Sequence, residues 1–188
     1  MTRAFLLAAI LAPLVCHGQL VVGVEAPRAG ARDRILSAAK SLVGTTEATG
    51  NNDGAAIDRI LASVGLEGTG APYCAAYNRW VYDAADLRAF GPRSALAASW
   101  VQAATWTRAG GGRTPLSGDT WGIYFPSKKR VAHTGIVWVW GSTTVRTLEA
   151  NTSPEAVAGS AADRNGDGVW SKYRLKNQIY ASRNWLGD

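Results

Sequence analysis

The sequence predicts an α+β domain in which helices come first and an antiparallel sheet follows. Two patterns carry that expectation. Up to about residue 108 the apolar residues recur at helical spacing, and after the Gly110-Gly111-Gly112 turn the apolar runs become β-branched and aromatic, broken by short turn signals. Helices segregated ahead of such strands give an α+β layout. With 188 residues, 47% of them hydrophobic and 18% charged, the chain is long and apolar enough to bury one core.

Taken in order, the chain opens with Arg3, an apolar run from Ala4 to Val15, and the small or polar residues Cys16, His17, Gly18 and Gln19. This is the layout of a secretory signal peptide, assigned to residues 1–19. Twelve apolar residues span only ~18 Å as a helix against a hydrocarbon core of ~30 Å, so no stable membrane insertion is expected. Residues 20–32 mix Gly, Pro, Val and Ala without a period and read as a linker, which places the folded domain at 33–188. Its first helix is expected from Asp33, as a cap, through Ile35, Leu36, Ala39, Leu42 and Val43 to Gly44. A polar loop follows over 45–53, then a second helix from Gly54 to Val64 and a third from Tyr73 to Ala85. A fourth helix is expected over Ala95 to Arg108. About five strands complete the chain: Thr120 to Phe125, Arg130 to Trp140, Thr143 to Glu149, Gly168 to Arg174 and Gln178 to Arg183. There is no internal repeat or low-complexity tract.

Export changes the meaning of the cysteines. The chain has two, Cys16 and Cys74, and two histidines, His17 and His133, so loss of the signal leaves one of each and no internal disulfide. A lone thiol in an oxidising compartment is either a buried core residue or a reactive group. Cys74 is placed to be reactive. It falls in the first turn of a helix, where the dipole and unpaired backbone N–H groups favour a thiolate and can hold an oxyanion. His133 lies in a strand whose same face carries Gly135, which leaves room for an approaching group. Glu149 and Asn151 close the next strand and point to one side if the chain stays extended, so either can orient the imidazole.

These residues resemble a family. Tyr73-Cys74-Ala75-Ala76-Tyr77 at a helix start, His133-Thr134-Gly135-Ile136-Val137 in a strand and Glu149-Ala150-Asn151-Thr152 at the next strand's end are similar to the CHAP domains, the cysteine, histidine-dependent amidohydrolases/peptidases. The Gly50-Asn51-Asn52-Asp53-Gly54 loop and the Gly166-Asp167-Gly168 segment add to the likeness, which covers about Asp33 to Trp185. The resemblance implies a papain-like fold and hydrolysis of peptidoglycan amides, either the N-acetylmuramoyl-L-alanine bond or a peptide crosslink. By matching positions Cys74 is the nucleophile, His133 the base and then the acid, Glu149 the orienting carboxylate and Asn151 an auxiliary polar group. The calcium-loop acids that some of these domains carry are not recognisable here, and no wall-binding repeat is attached. No metal or cofactor is expected.

Other motifs in the chain have ordinary explanations. Asp163-Arg164-Asn165-Gly166-Asp167-Gly168 fits the opening of an EF-hand loop, but Arg174 stands where the twelfth-position acid belongs. Asn151-Thr152-Ser153 fits a glycosylation acceptor at a residue needed elsewhere. Of the eight tryptophans, Trp100, Trp121, Trp138 and Trp140 are among those expected mainly in the core. The net charge is +6, and loss of Arg3 leaves about +5. Its carriers (Arg32, Arg34, Lys40, Arg59, Arg79, Lys128, Lys129, Arg130, Lys172 and Lys176) are scattered and read as solvated surface. Such a charge attracts any anionic polymer, nucleic acid or cell wall, and chooses neither by itself; export and the family resemblance turn the expectation to a wall polymer, with no nucleic-acid partner, a monomeric state and a secreted or periplasmic location. Two rival functions remain open: a non-catalytic wall-binding module with an inert Cys74, and the same chemistry turned on another target, as a toxin or general protease.

Overall fold

The computed structural model describes residues 30–154 and 166–188. The signal segment 1–19, nearly all of the 20–32 linker, Cys16, His17 and the opening residues Asp163, Arg164 and Asn165 of the EF-hand-like stretch lie outside the described residues.

The three described α-helices are α1 (Ala31–Ser41), α2 (Ala55–Ala62) and α3 (Cys74–Ala84). Helix α1 begins ahead of the expected Asp33, because Gly30 adopts a left-handed φ of 63° and serves as N-cap. Asp33 therefore sits in the first turn, where its carboxylate meets the positive end of the dipole. Ile35, Ala39, Ile57, Ile60 and Leu61 form the buried stripes of α1 and α2. Helix α3 is buried on nearly every side, since it packs against α1 and α2 on one flank and the sheet on the other.

The fourth helix does not form. Ala97–Val101 makes a short 3-10 turn, Ala103 turns left-handed with φ 47°, and the chain then becomes strand. Non-local contacts override the alanine-rich helical propensity here. Trp100 is fully buried against Tyr82 and Trp185, and Thr105 donates its backbone N–H to Ser182 O at 2.9 Å.

The sheet has seven strands rather than about five: β1 (Trp106–Thr107), β2 (Gly111–Gly112), β3 (Thr120–Phe125), β4 (Arg130–Trp140), β5 (Thr144–Thr152), β6 (Gly168–Leu175) and β7 (Ala181–Arg183). Their order is β2-β1-β7-β3-β4-β5-β6, and every neighbour is antiparallel. The two added strands are two residues each, too short for a period-2 signal; they pair with each other as a local hairpin, and β1 joins the sheet through β7, which returns from the far end of the chain. The architecture is thus α+β, with the main core between α1–α3 and strands β4, β5 and β6, through Ile136, Leu148, Ala150 and Val169.

Two of the supposedly solvated cations are buried. Arg79 caps Phe90 O and pairs with Asp83 at 2.8 Å, while Lys172 donates to Thr152 Oγ1 and Ser153 O. Of the tryptophans, Trp100 and Trp121 are core, whereas Trp138 and Trp140 are half-buried; Lys40 and Arg146 lie over the Trp138 ring. Among the described residues, no helix is long and apolar enough to cross a membrane.

Candidate active site

Cys74 is the first residue of α3, after a segment in which Gly68 and Gly70 both take positive φ and Pro72 closes the approach. Tyr73 precedes it as N-cap without a side-chain cap bond, so no capping side chain takes up the first-turn N–H groups beside the thiol. Cys74 is 5% exposed. Strand β4, on which α3 packs, carries His133 opposite Ile123 of β3. The imidazole is fully buried, edge-on to Trp121 at a centroid distance of 5.7 Å.

Glu149 of β5 meets the ring: His133 Nε2 lies 2.8 Å from Glu149 Oε2. Gly135 makes this approach possible, since a Cβ there would sit 2.6 Å from Leu148 O and 3.3 Å from Glu149 Cγ. The space predicted beside His133 is filled by β5 itself. With Nε2 held by Glu149, Nδ1 has no oxygen or nitrogen partner. Burial pushes the imidazole pKa down, but the hydrogen bonds and charges of Cys74 and Glu149 outweigh it and raise it to about 9. The imidazole is therefore poised between the sulfur and the carboxylate, the arrangement that favours a thiolate-imidazolium pair.

Glu149 is itself anchored by a residue that sequence reasoning did not assign to the site. Arg174 of β6, fully buried, donates from Nε to Glu149 Oε1 at 2.9 Å and from Nη2 to Oε2 at 2.6 Å. Thr147 adds its hydroxyl to Oε1 at 2.5 Å. Burial disfavours the ionised carboxylate, but Arg174 and the hydrogen bonds from His133 and Arg174 win and hold its pKa far below the usual range. The fork of Arg174 fixes both oxygens of Glu149, so the carboxylate has one orientation to offer His133. A signal for this existed in the sequence. Lys172 and Arg174 alternate with Tyr173 along β6, and it is the cations that face inward while Tyr173 is 43% exposed. Arg174 also vacates the EF-hand reading: the side chain at that position serves a carboxylate instead of supplying one.

Asn151 goes elsewhere. It is the extra residue of a β-bulge, where Ala150 pairs with Val169 and Thr152 with Gly168, and its φ is 56°. The strand is not extended at that point, so Asn151 does not share a direction with Glu149. Its amide donates to Asn52 Oδ1 at 2.8 Å and to Gly166 O at 3.2 Å. Asn52, also left-handed at φ 57°, donates to Gly70 O at 2.9 Å and, through its backbone N–H, to Glu47. Glu47 in turn accepts from the Tyr73 hydroxyl at 2.9 Å. The chain of bonds from Asn151 through Asn52 and Glu47 thus braces the segment that presents Cys74. Asparagine tolerates left-handed backbone better than most residues, which explains the side-chain choice at both corners.

No protein-family model matches this chain, and no curated protein sequence does. The chemistry available is that of the residues themselves. Among the described residues, no three histidines, cysteines or acids converge as metal ligands. What converges is a thiol at a helix start, an imidazole and a carboxylate held by a guanidinium.

Proposed function

We propose that the chain is a cysteine-dependent amidohydrolase or peptidase of papain-like organisation, acting on amide bonds of peptidoglycan outside the cytoplasm. The observation that carries the reading is His133 held between Cys74 at the start of α3 and the Arg174-anchored Glu149. The papain-like reading is supported by a nucleophile-bearing helix packed against an antiparallel sheet that carries the histidine.

In this mechanism the Cys74 thiolate adds to the amide carbonyl carbon, and the first-turn N–H groups of α3 hold the oxyanion. The His133 imidazolium gives its proton to the departing amine, the C–N bond breaks, and a thioester remains. Neutral His133 then takes a proton from water as the hydroxyl attacks the thioester; the acid leaves and the thiolate returns. Glu149 stays ionised throughout and stabilises the imidazolium.

The choice of wall as target is supported by the signal-like segment at residues 1–19 and the +6 charge, which suit a secreted or periplasmic protein meeting an anionic polymer. The near-complete burial of Cys74 favours the rival reading, a basic wall-binding module with an inert thiol. Cys74→Ala separates them. Mass spectrometry of digested wall is expected to show newly released amine and carboxyl ends with the native protein and none with the variant, at unchanged circular dichroism. Equal product from a folded Cys74→Ala protein would sink the proposal.

A further inference from the structure

A cavity of about 220 Å3 opens directly on Cys74. Its walls are Ala71, Pro72, Ala95, Leu96, Ala97 and Ala132, and its one charged side chain is Arg130. The cavity is smaller than the roughly 300–1,000 Å3 of sites that enclose a whole small ligand, so it suits one segment of a longer molecule. The walls come from three places. Ala71 and Pro72 lead into α3, Ala95–Ala97 lead into the 3-10 turn, and Ala132 is the extra residue of a bulge in β4, where Ile123 pairs with His133 and Tyr124 with Val131. The bulge sits one residue before the candidate base, where such irregularities commonly re-aim a side chain.

Arg130 is the unusual member. It is exposed, it forms no ion pair among the described residues, and no carboxylate lines the cavity with it. Lys128 and Lys129 precede it on the same β3–β4 turn, so three successive exposed residues there are basic. A guanidinium without an acid partner beside a methyl-lined hollow is complementary to an anion carried on a short aliphatic stem.

We propose that this cavity is a substrate subsite for a small aliphatic residue bearing a free carboxylate, with Arg130 as its counter-ion. The inference rests on the proposed role of Cys74 and adds the chemical class that the site selects. A neutral or amidated segment fits the same walls but forfeits the charge-assisted bonds to Arg130. An aromatic segment meets alanine methyl groups and the Pro72 ring across a narrow space.

The test compares two alkylating reagents of nearly equal size, iodoacetate and iodoacetamide, on the full-length protein. In each, the Cys74 sulfur forms a bond to the methylene carbon as iodide leaves, and labelling is followed by mass spectrometry of the peptide containing Cys74. The ratio of the iodoacetate to the iodoacetamide rate is expected to fall by about three- to tenfold in Arg130→Gln, and to fall with added salt in the native protein. Arg130→Lys should keep most of the ratio. The His133 imidazolium also attracts iodoacetate, but it is common to all three proteins and cancels in the comparison. An unchanged ratio in Arg130→Gln overturns the subsite. Failure of the catalytic reading looks different: both reagents then react no faster than with an ordinary thiol, and the ratio is still measurable.

Discussion

At the scale of single residues, the site is a problem in keeping charges in a place without water. His133 and Glu149 are both fully buried, and each ionised form is tolerated only because the next group answers it. The consequence is a pH dependence shifted away from that of ordinary histidine. Burial alone lowers the imidazole pKa, while Cys74 and Glu149 together carry it to about 9 from 6.5. Because the folded value is the higher one, the stability His133 contributes is complete below pH 6.5 and is lost as the pH rises through about 9. In the proposed mechanism the imidazolium is also the acid that releases the amine, so the basic limb of kcat/KM is expected near pH 9 and not near 6.5. A pH-rate profile gives the limb, and NMR titration of the His133 ring in Cys74→Ala should place its pKa lower, since one of its raising partners is gone. Of the four residues that the sequence singled out, three act as neighbours and Asn151 acts at a distance through the Asn52 bridge.

At the scale of elements, the sheet register decides which side chains can meet. Strands β5 and β6 pair so that Thr147 faces Lys172 and Val145 faces Arg174, which lets the guanidinium reach diagonally along the face to Glu149. Removing one partner of a buried pair leaves the other uncompensated, and the usual loss is about 3–5 kcal/mol. Arg174→Met is therefore expected to cost about that much stability in chemical denaturation. It should also slow alkylation of Cys74, because Glu149 then lacks the cation that keeps it ionised and oriented. Arg174→Lys should recover part of both, as it restores the charge without the two-pronged geometry. A denaturation midpoint unmoved by Arg174→Met would mean that the Glu149 anchor is not structural. The helices were legible because their signal is local: Ile57, Ile60 and Leu61 announce α2 within one turn. Bulges at Ala132, Trp138 and Asn151 were not, since an extra residue in a ladder is defined only by what the partner strand does.

At the scale of the whole molecule, one arginine ties the beginning of the described fold to its end. Arg32 of α1 bonds Asp119 Oδ1 at 2.9 Å, Ser117 O at 2.5 Å and both carboxylate oxygens of Asp188. Asp119 is 1% exposed, and burial raises its pKa despite Arg32 and Arg113. Arg32→Met is expected to destabilise by about 1–3 kcal/mol, most of it from the buried charge on Asp119, which is then left with only the more distant Arg113 at 3.5 Å. The double variant Arg32→Met with Asp119→Asn should then be more stable than Arg32→Met alone, measured by thermal and denaturant unfolding at neutral pH. If the second change made matters worse, the under-compensated charge on Asp119 would not be the cause.

From the sequence by itself came the order of helices before strands, the placement of Cys74 at a helix start, and the pairing of His133 with Glu149 as candidates. The first two follow from periodicity and neighbour chemistry, which act over a few residues; the choice of Glu149 over Asn151 came only from the family resemblance. Only the tertiary structure decided that Ala95 to Arg108 yields its helix to a 3-10 turn and strand pairing, that the Asn151 amide bonds Asn52 and Gly166, and that Arg174 turns inward to Glu149. Each of those outcomes depends on a partner far along the chain, Ser182 for Thr105, Asn52 for Asn151 and Glu149 for Arg174, and on burial that makes an unanswered polar group too costly to leave.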